Sequence, residues 1–231
     1  MDTNGKKTES YTLGSGHLRV NEIEDKDIPT TEDAWIQFVT NLIKTHPVLG
    51  RIKGGASVDY TTEKTEDQDD LGYVIIDMLK SEKIELKSGI MTWDGETLEK
   101  LCATARVSTN ETTKVTTIKI GGLGNQNSKR YVICFEHYSH LLRVVIIGKN
   151  TNGFSITFDQ DKATVIDSVF RAEALDNDGT LLIIQDFRKA TDEAKAELLQ
   201  SISSSTSEQT SSENSANEAE SASTASDKSE I

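Results

Sequence analysis

The chain has 231 residues, 35% of them hydrophobic, and carries 38 acidic residues against 25 Lys and Arg for a formal charge of −13, a length that holds one domain with extensions. That acidic balance excludes a protein that grips nucleic acid by its phosphates, because counterion release requires a basic stripe. No stretch approaches the roughly 20 apolar residues of a membrane span, and MDTNGKKTES lacks the apolar core of a signal peptide, so synthesis in a cytoplasm and no membrane partner are expected.

Tyr11 to Val20 alternates weakly around two glycines and reads as an arm or a first strand leaning on something else. Ser15 lies near His17, but the strand-to-helix setting of a nucleophile elbow is missing. An acidic linker, NEIEDKDIPTTED, leads to Trp35, Phe38, Val39, Leu42 and Ile43 at helical spacing, ending before His46-Pro47. The β-branched residues and Thr40 leave an extended alternative open. Residues 1–49 are thus expected to form an N-terminal arm and linker, and residues 50–188 a β domain with one helix.

From Gly50 the pattern is β. RIKGGASVDYTT is a strand with a glycine pair, where a bulge is expected. It leads into a polar stretch, Thr61 to Gly72, which is expected to be a loop between two long strands, with YVIIDMLKSEKIELKSG as the second. Asp67, Asp69 and Gly72 mimic part of a calcium loop, but Leu71 and Met78 stand where oxygen ligands belong, so no metal is expected. Instead Glu63, Lys64, Glu66, Asp67, Asp69, Asp70 and Leu71 are expected to meet a neighbouring subunit, since a loop this charged cannot enter a dry core unpaired.

Lys87 to Val107 is the stretch around which the rest is organised, with a strand, a tight turn and an amphipathic helix in succession. Asp94 can cap the helix, and Leu98, Leu101, Cys102 and Ala105 fall at i, i+3, i+4 and i+7, an apolar face on a helix from Gly95 to Ala105 that needs a sheet beneath it. Cys102 and Cys134 both sit among apolar residues and read as free, buried thiols. TTKVTTIKIGG and KRYVICFEHYS read as strands flanking GGLGNQNS, which lacks the third glycine and the following helix of a dinucleotide site and reads as a hairpin loop. His137 and His140 have no evident third ligand. Thr151-Asn152-Gly153 predicts a hairpin between LLRVVIIGKN and FSITFDQ, and Asn177-Asp178-Gly179 a second one before TLLIIQDF. Residues 189–231 are helix-prone and then dissolve into a segment with twelve Ser, six acids and one base from Ser201 to Ile231, expected to be disordered. No catalytic grouping, cofactor motif or metal set emerges, and the fold class expected is α+β, mainly β, with two packed β-sheets, sandwich or barrel-like, flanked by one α-helix.

Read together, RIKGGASVDYT, LKSGIMTWDGETLEKLCATARV, TIKIGGLGNQN, YVICFEH, VVIIGKN and GFSITFDQDKATVIDSVFRAEALDNDGTLLII form a succession that resembles the tail tube proteins, or major tail proteins, of long-tailed phages infecting Firmicutes. The resemblance runs from about Gly50 to Ile184. It implies the tail-tube fold, six copies forming a ring, and rings stacking into a virion tube through which the genome leaves the capsid. Its implied partners are further copies of the chain, tail terminator and distal tail proteins, and a tape measure protein, with DNA passing through the lumen unbound. The Trp35 to Thr45 insertion and the Ser/Glu-rich tail depart from the family pattern. Physical reasoning agrees, since an acidic, strand-rich chain without site chemistry has uncovered strand edges that a closed ring removes. If each of six subunits lends about four strands, ~24 strands at ~4.8 Å spacing and ~45° tilt give a bore of about 40 Å, and an acidic lining would repel phosphate. Two alternatives stand beside this: the inner tube of a contractile tail or tailocin, and a β-sandwich carbohydrate-binding module, the latter poorly supplied with two Trp.

Overall fold

The computed structural model describes residues 14–68, 70–71, 74–158, 160–161 and 163–202. Tyr11 to Leu13, Asp69, Gly72 and most of the Ser-rich tail, with the expectations attached to them, lie outside the described residues.

The chain is α+β and mainly β, in two compact units. The first holds the described residues up to Ile28 and residues 48–185, and the second holds Pro29–Pro47 and the described residues from Asp186 onward. In the first unit a seven-stranded antiparallel sheet contains Gly16–Ile23 (β1), Ile52–Gln68 (β2), Val74–Ile90 (β3), Arg130–His137 (β6), Leu142–Asn150 (β7), Ile166–Glu173 (β8) and Ile183–Asp186 (β9). Its order is β1-β6-β7-β8-β3-β2, with β9 also pairing β7. Arg106–Thr109 (β4) and Thr116–Lys119 (β5) form a separate two-stranded sheet.

One face of the large sheet carries the main core, which includes Leu18, Leu86, Ile90, Ile133, Ile146 and Phe170. These residues follow the two-residue period of a strand, so each strand contributes alternate side chains. Cys134, Val145 and Ile147, on the opposite face of β6 and β7, are fully buried as well. A bridge between Leu18 and Gly50, with the Leu49 N–H donating to the Leu18 carbonyl at 2.8 Å, ties the free edge of β1 to the chain just before β2. The sheet is therefore drawn together at that end in the manner of a barrel seam.

Gly95–Leu101 (α2) covers the core face in this unit. Asp94 caps it, its Oδ1 accepting the Thr97 N–H at 2.8 Å and the Thr97 hydroxyl at 3.0 Å. The expected helix to Ala105 is corrected here, for the helix stops at Leu101. Cys102 is an extended C-cap and only half-buried, while Ala105 is buried after a turn, outside the helix. Tertiary partners compete for the last carbonyls: Asn150 Nδ2 donates to Leu101 O at 2.8 Å, and the Asn127 N–H to Ala103 O at 2.9 Å.

The second unit contains Glu32–Thr45 (α1) and a helix over residues 192–202. Thr31 caps α1 by accepting the Ala34 N–H, and Trp35, Val39, Leu42 and Ile43 form its buried stripe, which settles the helix-or-extended question for this stretch. Thr40 is accommodated by donating its hydroxyl to Ile36 O at 2.7 Å.

Two hairpin expectations fail. Asn152-Gly153 makes a turn, with Gly153 at φ +63°, but residues 154–158 form no strand, and β7 pairs β8 instead. The turn at Gly179, where Asp176 Oδ1 accepts the N–H groups of Asp178 and Thr180, leads to a β9 that pairs with β7. Likewise GGLGNQNS joins strands of different sheets, so it is a crossover and not a hairpin loop.

Candidate assembly surface

The stretch expected to be an acidic loop is mostly strand. β2 runs to Gln68 and pairs antiparallel with β3 along almost its whole length, from Ile52↔Ile90 to Gln68↔Val74. Glu63, Lys64, Glu66 and Asp67 therefore lie within β2, and Asp70 and Leu71 lie at its turn, both exposed. Strand pairing prevails because Tyr60, Thr61, Thr62 and Thr65 have strong β propensity and β3 supplies each with a ladder partner, Ile84, Lys83, Glu82 and Met78. The polar composition that suggested a loop instead reflects two solvated strands.

Only the base of this hairpin belongs to the sheet, since β3 pairs β8 over Glu85–Ile90 alone. Beyond Ile84 the hairpin is a two-stranded ribbon that projects roughly 30 Å to its turn at ~3.3 Å per residue. Its described side chains there are almost all exposed. Local bonds hold the ribbon in register: Tyr60 Oη donates to Glu82 Oε2 at 3.0 Å, and Ser81 Oγ to Glu63 Oε2 at 3.1 Å. Accepting that proton bond, the Glu82 carboxylate pushes the Tyr60 phenol above its ordinary pKa.

The register is broken at three places, between Lys53 and Ala56, Glu63 and Lys64, and Asp67 and Gln68. At the first, Gly54 and Gly55 take φ of +83° and +77°, which side-chain-bearing residues rarely adopt, and Ser88 Oγ donates to Gly55 O at 3.2 Å. This is the bulge that the glycine pair predicts, and it sits in the base of the hairpin opposite Ser88 and Gly89, where a bulge adds twist.

The two faces of the ribbon differ. Tyr60 opposes Ile84, Val58 opposes Leu86 and Lys64 opposes Leu79, so the core-side face of the ribbon carries apolar side chains outward among polar ones, Thr62 and Glu82. Tyr60 is 56% exposed and Leu79 52%, and neither has an apolar cover. On the other face Lys87 Nζ lies 2.7 Å from Asp59 Oδ2, and Lys83 pairs with Glu85. Of the helix residues expected to face the sheet, Leu98 and Leu101 join the core cluster, whereas Cys102 does not. The structure does not bring the helix face and the ribbon together into one site. The exposed apolar ribbon face was missed by sequence reading, although its signal was present in the alternation Val58, Tyr60, Ile84, Leu86.

Among the described residues no cluster of three or more His, Cys, Asp or Glu could hold a metal. His137 Nδ1 bonds Ser139 Oγ and His140 Nδ1 bonds Glu136 Oε1, each with its own partner. Both cysteines are free thiols. No described helix is long and apolar enough to cross a membrane.

No protein-family model and no curated protein matches the chain. Solved structures do. An anti-feeding prophage cap, described as a tube terminating cap, is 12% identical over 80% of this chain and 98% of its own, with a TM-score of 0.40. The sheath/tube terminator of an extracellular contractile injection system is also 12% identical, over 77% and 99%, with a TM-score of 0.39. A chain of the sheath-tube complex of such a system is 15% identical over 56% and 79%, with a TM-score of 0.32. TM-scores this low do not establish a common fold.

Proposed function

We propose that the chain is a structural subunit of a phage-type tail tube, in which six copies close into a ring and rings stack into a conduit for DNA. The observation that carries this reading is the β2–β3 ribbon. An isolated two-stranded hairpin is marginally stable in water, and a long uncovered edge invites pairing with another chain. A ribbon this long, with Val58, Tyr60 and Leu79 exposed among polar residues on one side, is explained when a second copy covers it, and a closed head-to-tail ring covers every copy alike. The resemblance of residues 50–184 to tail tube proteins supports the same reading. Tail terminator, distal tail and tape measure proteins are the further partners it implies. The subunit performs no chemistry in this role.

The test is negative-stain microscopy of the concentrated protein beside a variant whose ribbon is cut between Thr62 and Glu82 and closed by Asn-Gly. Rings or tubes are expected from the full chain only, with equal monomer melting for both. Tubes from the trimmed variant, or none from the full chain, would overturn the proposal.

A further inference from the structure

Asn152-Gly153 turns the chain after β7 but closes no hairpin, which leaves the peptide group between the two residues unheld. Thr151, Asn152 and Gly153 are all exposed, and residues 154–158 form no strand. Among the described residues no hydrogen bond holds the Asn152 carbonyl, the Gly153 N–H or the Asn152 side chain. Gly153 lies at φ +63°, and apart from its chain neighbours no heavy atom lies within 4 Å of where a Cβ would stand. The other turns with glycine after an acid are fastened. Asp94 Oδ1, before Gly95, accepts from the Thr97 N–H and hydroxyl, and the Gly179 N–H, after Asp178, donates to Asp176 O at 3.3 Å. Just before the unheld peptide group, Asn150 binds three elements with one side chain. Its Nδ2 donates to Leu101 O at 2.8 Å, at the end of α2, and to Gly153 O at 2.7 Å, while its Oδ1 accepts the Val169 N–H of β8 at 2.9 Å.

We propose that Asn152 is a self-modification site, converted through a succinimide to isoaspartate, and that the conversion loosens the end of α2. The Gly153 nitrogen gives its proton to water or hydroxide and forms a bond to Asn152 Cγ, whereupon the Cγ–Nδ2 bond breaks and ammonia leaves. Water then opens the ring at either carbonyl, giving aspartate or, where the backbone is rerouted through the side chain, isoaspartate. Water is the co-reactant throughout, and nothing is oxidised or reduced. Because the attacking nitrogen must lose its proton, the rate rises with pH. Glycine has no Cβ to block the approach, and an exposed turn without its own bonds opens at almost no free-energy cost, so the folded chain presents this dipeptide much as the unfolded chain does. Isoaspartate inserts an extra backbone carbon between Thr151 and Gly153 and places a carboxylate where an amide stood. Gly153 O is thereby displaced from Asn150 Nδ2, and Asn150 also holds Leu101 O. The reaction belongs to the single chain and does not depend on the tail-tube reading.

Peptide mapping by mass spectrometry tests the site, in an Asn4→Gln background because Asn4-Gly5 repeats the dipeptide. Folded protein and the same protein in urea are held at mildly alkaline pH, and the amide-to-acid change at residue 152 is followed in each. The native rate is expected to lie within about tenfold of the unfolded rate, as for a segment of negligible local stability, with no isoaspartate at Asp94 or Asp178 in the folded protein. A native rate lower than that would show that the turn holds the amide in place and overturn the proposal. The link to α2 has its own readout. The isoaspartyl fraction, separated by chromatography, is compared with Asn152→Asp, which carries the same charge on an ordinary backbone. Cys102, next to Leu101, is expected to react with Ellman's reagent at least about twofold faster in the isoaspartyl protein. Equal rates would overturn the link between the turn and the end of α2.

Discussion

Tyr60 and Ile84 face each other across the β2–β3 ladder, yet Ile84 is 6% exposed and Tyr60 is 56% exposed. The pair marks the line where the core ends and the ribbon begins. Beyond it the same face runs on uncovered, with Thr62 opposite Glu82 and Lys64 opposite Leu79.

Replacing Tyr60 and Leu79 together by Ser should therefore leave the monomer's denaturant midpoint within about 0.5 kcal/mol of wild type, as expected for surface positions. Tube formation should be lost or need a much higher protein concentration. Light scattering across a concentration series measures the second quantity, and a large loss of monomer stability would mean the residues pack internally.

Leu101 is 2% exposed in the core cluster that also holds Leu98. Leu101→Ala should cost about 2–5 kcal/mol by lost transfer energy and the cavity left behind. Urea melts check this directly, and a cost below half a kcal/mol would mean the site collapses freely.

Glu136 is fully buried, and its Oε2 accepts from Arg19 Nη1 at 2.7 Å while its other oxygen meets His140. The fully buried Arg143 stands directly opposite it on β7. Glu136→Leu should cost about 3–5 kcal/mol, because it leaves cationic groups buried without their carboxylate. Adding Arg19→Met should recover part of that loss. A double-mutant cycle with no coupling would show that Glu136 acts by packing alone.

Burial pushes the Cys134 thiol up to about 12, so it is protonated and shielded at neutral pH. Ellman's reagent at pH 8 should find at most the half-buried Cys102 in folded protein, with the second thiol appearing on unfolding. Two fast thiols in the native state would contradict the packing of β6.

Asp186 is lowered to about 2, chiefly by its hydrogen bonds from Arg188 at 2.7 and 2.8 Å. A depressed folded pKa gives stability that is present above the unfolded value near 3.8 and lost as pH falls toward 2. The pair is over a third exposed at Asp186, so solvent screens much of the effect. Asp186→Asn should flatten a small part of the acid limb between pH 4 and pH 2 and leave stability at pH 7 slightly lower. Thermal melts across that window read the difference.

The elements most legible in the sequence were those set by local chemistry. Asp94 announced its cap, the Gly54-Gly55 pair its bulge, and Trp35, Val39, Leu42 and Ile43 their stripe, because each depends on residues within one turn or one pleat. Pairing partners were not legible in the same way. Asn152-Gly153 carries the strongest hairpin signal in the chain, yet β7 takes β8 and β9 as neighbours, since the side chains of Ile166, Ser168 and Phe170 find buried places that residues 154–158 do not. The end of α2 was misjudged because Leu101 and Ala103 give their carbonyls to Asn150 and Asn127, remote groups that no helical window includes. The candidate surface was half legible. Its place between two long strands and its exposure were legible, but its form was not, because threonine and acidic residues read as loop until a facing strand supplies the pairing.

The placement of β1 in the sheet sets a schedule for synthesis. β1 ends at Ile23 and its ladder partner among the described residues, β6, begins at Arg130, so more than a hundred residues must be made between the two. At about 5–20 residues per second the ribosome takes on the order of ten seconds to supply that partner. The β2–β3 hairpin, whose strands are neighbours in the chain, is complete well before then. The nascent chain thus displays its exposed ribbon while its own first strand still waits for its partner.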